Sequence, residues 1–142
     1  MNSLDILHPV LALILLHAVI LVLLVVVRIG SMRSLNLKFQ DAKHTSELDS
    51  PAIPDYIRQI GANYNNLCEV PTVFYALIFY IWASGHVDSM HVWCAWAFFF
   101  SRVAHSLIQV TFNQVLIRFP VFFIGWLLII TMSWREFLML LG

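Results

Sequence analysis

The sequence predicts an all-α integral membrane protein, a bundle of four antiparallel transmembrane helices, for two reasons. Its 142 residues are 61% hydrophobic and 11% charged, with a mean hydropathy of +0.83, whereas globular proteins average about 45–50% apolar and 25% charged residues. The apolar residues also form long runs, at 10–27, 70–83, 90–110 and 119–134. We therefore predict one domain, 1–142, with helices at about 6–30, 55–84, 89–110 and 117–138 and a loop at about 31–54.

The first run holds a single polar residue, His17, over about the length that crosses a bilayer. The residues before it include Asp5 and no Lys or Arg, whereas a secretory signal peptide begins with a positive segment. We therefore expect this run to remain as a membrane span. A lone histidine on such a helix is interpreted as a hydrogen-bonded packing residue.

Turn residues delimit the other three helices. Pro54 precedes the second helix, which begins near Asp55, and Asp88 is a suitable N-cap for the third helix. Pro120 is expected in the first turn of the fourth helix. The connections between helices 2 and 3 and between helices 3 and 4 are short, which makes these helices antiparallel neighbours.

Basic residues predict the orientation of the bundle. The connection between helices 2 and 3 carries no Lys or Arg, whereas the first and third connections carry Arg28, Arg33, Lys38, Lys43, Arg58 and Arg118. The positive-inside rule therefore places loops 1 and 3 in the cytoplasm, and loop 2 and both termini outside. The expected surroundings are the lipid bilayer, and the absence of a basic stripe predicts no nucleic-acid partner.

Helix 2 carries a polar stripe at the entry to its apolar run. On a helical wheel Arg58, Asn65 and Glu69 fall within about 40° of one another, and Asn66 lies about 60° from Glu69. A carboxylate inside a membrane costs about 2.5 to 3.5 kcal/mol at mid-depth and less near the interface. Glu69 therefore predicts a partner or a function.

Helices 3 and 4 bring further polar residues to the same membrane edge. Arg102 and Gln109 align within about 20°, and His105 lies about 60° away. Arg118 stands at the start of helix 4. One interpretation is a structural ion pair between Glu69 and Arg102. The other is a ligand site, because two arginines for one acid leave a positive charge for a carboxylate, and nearby amides suit peptide groups.

Three segments resemble the MAPEG family, the membrane-associated proteins in eicosanoid and glutathione metabolism, and its bacterial branch in particular. They read Asn66-x-x-Glu69 followed by Pro71, Arg102-x-x-His105, and Arg118-x-x-x-Phe122-Phe123-x-Gly125. The resemblance implies a homotrimer that binds glutathione between subunits near the cytoplasmic face. It implies that Asn66 and Glu69 hold the glutathione peptide, that Arg118 stabilises its thiolate, and that Arg102 helps to bind the ligand.

The expected function is thus a glutathione-dependent transferase or peroxidase that acts on hydrophobic electrophiles in a bacterial inner membrane. Arg118 is the expected catalytic residue, and the expected glutathione-binding residues are Arg58, Asn65, Asn66, Glu69, Arg102, His105 and Gln109. Two alternatives stay open. Enzymes of the family carry an arginine four residues before the asparagine, where this chain has Ala62, which favours a non-catalytic member that binds a lipid or a partner. A small proton-coupled exporter with Glu69 as its proton site is the third interpretation.

Two cysteines and two outer histidines complete the set of reactive residues. Cys68 and Cys94 are expected near opposite ends of adjacent helices, about 20 Å apart, too far for a disulfide. We interpret them as reduced apolar side chains. His86 and His91 lie five residues apart in the outer turn, a spacing too weak to predict a metal site.

Overall fold

The computed structural model describes residues 2–34 and 54–141, which form four long helices. A short 3-10 helix, Ser3–Leu7, leads into α1, His8–Ser34. The others are α2, Asp55–Ala83, α3, Ser89–Val110, and α4, Val115–Leu141. The predicted all-α, four-helix architecture is confirmed, whereas Lys38, Lys43 and the rest of loop 1 from residue 35 to 53 lie outside the described residues.

Three of these helices are long and apolar enough to cross a membrane, namely Ser3–Arg33, Asp55–Ala83 and Val115–Leu141. The remaining helix, α3, lacks an apolar stretch of that length because two histidines, an arginine and a glutamine interrupt it. These side chains are buried against the other helices, while Trp93, Phe100 and Leu107 are exposed at seven-residue intervals. The outer face of α3 is therefore apolar although its mean hydropathy is modest.

Helices α1 and α2 pack antiparallel in a regular register. The Ser31 and Tyr56 hydroxyls are hydrogen-bonded at 3.2 Å near one end, and Leu24 lies over Gly61 one step further along. His17 then meets Cys68. Because the α1 residues in these contacts are seven apart, they lie on one stripe of that helix.

The core centres on a contact between α2 and α3. Phe74 stacks on Phe98, with ring centroids 4.2 Å apart and planes 16° from parallel, and both rings are fully buried. Ile78, Ile81 and Met132 belong to the same apolar cluster. Because α2 and α3 run in opposite directions, this stack sets their levels and places Asn63 of α2 near the level of Gln109 of α3.

The turn between α3 and α4 uses a residue that tolerates left-handed backbone. Asn113 has a φ of 47°, and asparagine adopts this conformation more readily than most residues. Helix α4 begins at Val115, two residues earlier than the expected start, so Pro120 lies in the second turn rather than the first. At the other end of α3, the Asp88 side chain accepts a hydrogen bond of 2.9 Å from the backbone N–H of His91, as expected of an N-cap.

Candidate functional site

Two adjoining hollows open at the end of the bundle where α3 turns into α4. The smaller, of about 230 Å³, is lined by Asn66, His105, Gln109, Val115, Arg118, Phe119 and Phe122. The larger, of about 480 Å³, is lined by Asp55, Arg58, Gln59, Ala62, Gln109, Asn113 and Arg118. Gln109 and Arg118 line both. We call the two hollows together the groove, and its size falls in the range of small-molecule sites.

Arg118 is held in the groove by the turn that precedes it. Its guanidinium donates to the Asn113 side-chain oxygen, and its backbone N–H donates to the Gln114 carbonyl at 3.0 Å. One face of a half-buried guanidinium is thus fixed while its remaining donors face the hollows. An arginine in this arrangement suits an anionic ligand group.

The groove and the layer behind it contain polar groups that have no hydrogen-bond partner among the described residues. Asn66 Oδ1 and Gln109 Oε1, in the wall, are buried and unpaired, and so are both side-chain amide atoms of Asn63, which is fully buried and lines neither hollow. A buried polar atom without a partner costs about 1 to 3 kcal/mol. Buried polar atoms of this kind are normally completed by a ligand or by ordered water.

Arg102 is fully buried and does not form the ion pair with Glu69 that was one interpretation of the sequence. Its guanidinium donates instead to the Val121 and Phe122 carbonyls of α4, at 3.3 and 3.4 Å. The rings of Phe98 and Phe122 lie 5.4 and 5.6 Å from its central carbon. Backbone dipoles and aromatic faces thus take the place of the carboxylate.

A glycine makes room for this arginine. A Cβ atom at Gly125 would lie 2.5 Å from Nη2 of Arg102 and 3.2 Å from the Ser101 hydroxyl. Nη1 of Arg102 has no hydrogen-bond partner among the described residues. Arg102 lies behind the groove and lines neither hollow.

The other residues of the predicted α2 stripe do not reach the groove together. Glu69 and Asn65 are exposed on the outer surface of α2 and line neither hollow. Arg58 lines the larger hollow and pairs with Asp55. The structure therefore joins Asn66, His105, Gln109 and Arg118 in one hollow, with Arg58 in the next, and separates Arg102, Glu69 and Asn65 from them.

The helical wheel explains this separation. The buried face of α2 is marked by Asn63, Leu67 and Phe74, and Glu69 lies about 120° from Asn63 around the helix. Sequence analysis did not single out Asn63 as a site residue. The signal for it was present, because Asn63 belongs to the apolar stripe of Ile60, Leu67, Val70 and Phe74 at spacings of three and four.

Seven residues that line the hollows were not among the predicted site residues: Asp55, Gln59, Ala62, Asn113, Val115, Phe119 and Phe122. The places of the last four depend on the turn between α3 and α4 and on how α4 packs after it, which helical periodicity alone does not define. Among the described residues, no group of three or more His, Cys, Asp or Glu side chains is arranged to hold a metal ion.

Comparisons with known proteins agree with this architecture. The MAPEG family matches residues 6–138, nearly the whole chain. No curated protein and no solved structure gives a significant match. Because the match runs from the first helix to the last, this four-helix membrane protein belongs to the MAPEG family.

Proposed function

We propose that this protein is a glutathione-dependent transferase or peroxidase that conjugates or reduces hydrophobic electrophiles at the membrane surface. The observation that carries the proposal is Arg118, which lines both hollows while Asn113 holds it in place. An arginine next to a thiol favours the thiolate, the reactive form in such reactions.

The two hollows differ in polarity, as expected if one binds the charged end of glutathione and the other the apolar electrophile. The larger one is lined by the ion pair of Asp55 with Arg58, an anion and a cation that would exchange partners with the ammonium and carboxylate at the γ-glutamyl end of glutathione. The smaller one is walled on one side by Phe119 and Phe122. An apolar electrophile that arrives through the bilayer meets the thiolate between these walls.

In the transferase step, the glutathione thiol releases its proton to solvent as Arg118 stabilises the sulfur anion. The thiolate then attacks an electrophilic carbon, a carbon–sulfur bond forms, and the leaving group departs with the bonding electron pair. His105 and Gln109 supply polar groups at the same hollow, where they orient the peptide part of the ligand. No protein nucleophile takes part.

We further propose that the protein acts as a homotrimer in a bacterial inner membrane, with both termini outside. Support comes from Glu69 and Asn65, which are exposed on α2, in a helix apolar enough to span the bilayer. A carboxylate facing lipid is costly, whereas a neighbouring subunit that brings a polar ligand to it removes the cost. In that assembly Glu69 and Asn66 would hold the glutathione peptide from α2.

The test is conjugation of chlorodinitrobenzene with glutathione by purified protein in detergent. Arg118→Ala is expected to lower kcat/KM about a hundredfold, the usual loss when a stabilising charge or donor is removed. Arg33→Ala is the matched control, because Arg33 lies at the exposed end of α1 and lines neither hollow. Equal activity of Arg118→Ala and wild type would remove the thiolate-stabilising role.

A second function is a non-catalytic member that binds a lipid or a partner protein. The observation in its favour is Ala62, which lines the larger hollow at the position where the family's enzymes carry an arginine. Thermal stability separates the two proposals, because a ligand at 100 times its Kd stabilises by about 2.7 kcal/mol. Stabilisation by phospholipid with no response to glutathione supports the second function.

A further inference from the structure

A cysteine and a histidine meet where α1 packs on α2, outside the groove. Nε2 of His17 lies 3.3 Å from Sγ of Cys68, within hydrogen-bond reach for sulfur. The ring of Tyr64 stands edge-on to the imidazole, with centroids 5.4 Å apart and an interplanar angle of 83°. Neither His17 nor Cys68 lines the hollows that contain Arg118.

The register of the two helices holds this pair in place. The contacts of Ser31 with Tyr56 and of Leu24 with Gly61 lie on the same stripe of α1 as His17. The thiol is the hydrogen-bond partner of the imidazole within the described part of the chain. A polar side chain in an otherwise apolar span is thus matched to a nucleophile rather than to a backbone group.

The arrangement has the central pair of an activated thiol. A base within hydrogen-bond reach of the nucleophile is what such activation requires first. Cys94, in contrast, is half-buried and has no hydrogen-bond partner among the described residues. The chain therefore carries two free cysteines in different surroundings, and one of them has a base.

We propose that His17 activates Cys68 as a nucleophile, and that Cys68 is a covalent modification site for apolar α,β-unsaturated carbonyl compounds dissolved in the bilayer. Cys68 is exposed on the outer surface of the bundle. Ile14 and Leu21, one turn before and after His17, are 50% and 43% exposed. The approach to the thiol is thus apolar, and an addition reaction needs no leaving group or oxidant.

The addition involves only Cys68, His17 and the unsaturated carbonyl compound. The thiol proton passes to Nε2 of His17 while Sγ forms a bond to the β-carbon of the unsaturated carbonyl compound. The π electrons move to the carbonyl oxygen as an enolate. The enolate α-carbon then takes a proton back from the imidazolium, which restores neutral His17 and leaves a stable thioether.

The experiment treats the full-length protein in lipid nanodiscs with a long-chain enal such as nonenal and follows each cysteine by peptide mass spectrometry. Cys68 is expected to react at least tenfold faster than Cys94, which serves as an internal control. His17→Phe, which keeps a ring of similar size, is expected to lower the Cys68 rate at neutral pH at least tenfold and to leave Cys94 unchanged. Equal rates at the two cysteines, or a Cys68 rate that His17→Phe does not change, overturn the proposal.

A second measurement separates activation from packing. The titratable groups that face the thiol are His17 from α1 and Tyr64 and Tyr75 from α2. If His17 acts as a base, raising the pH to about 10, above the ordinary thiol pKa of about 8.5, restores the His17→Phe rate because hydroxide then supplies the thiolate. A variant that stays slow at high pH has lost access or packing instead, and that result also overturns the proposal.

Discussion

The two ends of the helical bundle bury polar groups of different kinds. At the groove and directly behind it, the uncharged amides of Asn63, Asn66 and Gln109 have buried atoms with no hydrogen-bond partner among the described residues. At the far end, Glu136 is 3% exposed and lies between two histidines. One of its oxygens accepts from Nδ1 of His86 at 2.7 Å, and the other lies 3.4 Å from Nε2 of His91.

The far end is also closed by a second pair, Arg135 with Asp88. Asp88 in addition caps α3, so these contacts fasten the last turns of α4 to the α2–α3 connection. The far end is not fully satisfied either, because His91 Nε2, Glu136 Oε1 and Arg135 Nη1 have no hydrogen-bond partner among the described residues. Each of these atoms nevertheless belongs to a side chain within ion-pair distance of an acidic or basic group, whereas Asn63, Asn66 and Gln109 are uncharged amides. We therefore interpret the far end as a structural clasp and the groove end as the proposed ligand site.

The largest change in the free energy of unfolding is expected when Glu136, the central residue of the clasp, is replaced. Glu136→Leu leaves His86 and His91 without their carboxylate, and removal of one partner from a buried pair costs about 3 kcal/mol. The free energy of unfolding, measured by titration with a denaturing detergent, should fall by about that amount. Ser133→Leu is the control, since Ser133 is exposed on the same helix. A fall no larger than that of the control would show that the far end is not a clasp.

A smaller loss of stability is expected from a substitution next to Arg102, behind the groove. Gly125→Ala places a methyl group 2.5 Å from Nη2 of Arg102, and that guanidinium is fully buried and has little room to move. Overpacking of this kind costs about 1 to 3 kcal/mol. Gly30→Ala is the matched control, because a Cβ there meets nothing within 4 Å. A helical Gly→Ala change in open space instead stabilises by up to about 1 kcal/mol.

For Asn63, buried behind the groove, the expected change in the free energy of unfolding has the opposite sign. Asn63→Leu replaces an unpaired buried amide by an apolar group of similar size, which is expected to raise the free energy of unfolding by about 1 kcal/mol. Gln59→Leu is the control, because that side chain is only half-buried in the larger hollow. A loss of stability in Asn63→Leu would mean that the amide already has partners, and the contrast between the two ends would fail.

The sequence predicted much of this fold because its signals are local. Apolar runs define the helices, Asp88 marks the start of α3, and basic residues gather toward one end. The contacts that decide the site are not local. Arg102 finds carbonyls of α4 rather than Glu69 because Gly125 lets the helices approach closely, and a helical wheel contains no information on a neighbouring helix.

The contacts of Glu136 could not be predicted from local sequence signals either. It lies at the end of the last apolar run, where an acid is easily taken for a solvated residue. Its histidine partners, 45 to 50 residues away, come from the α2–α3 connection and from the first turn of α3. The placement of His17 against Cys68 is a third case. The distance along the chain is 51 residues, and the two meet only because the seven-residue register of α1 on α2 carries them to one level.

The smallest effect should appear in the acid response of the clasp. Burial raises the pKa of Asp88, but the backbone N–H of His91 and the Arg135 guanidinium outweigh burial and hold it below its ordinary value. A carboxyl whose pKa is lowered by folding contributes stability above its unfolded pKa of about 3.9 and loses it as the pH falls further. Between pH of about 5 and 3, the thermal midpoint of the wild type should therefore fall more steeply than that of Asp88→Asn. Parallel curves would show that the loop carboxylate contributes no charge interaction, and the clasp would then rest on Glu136 alone.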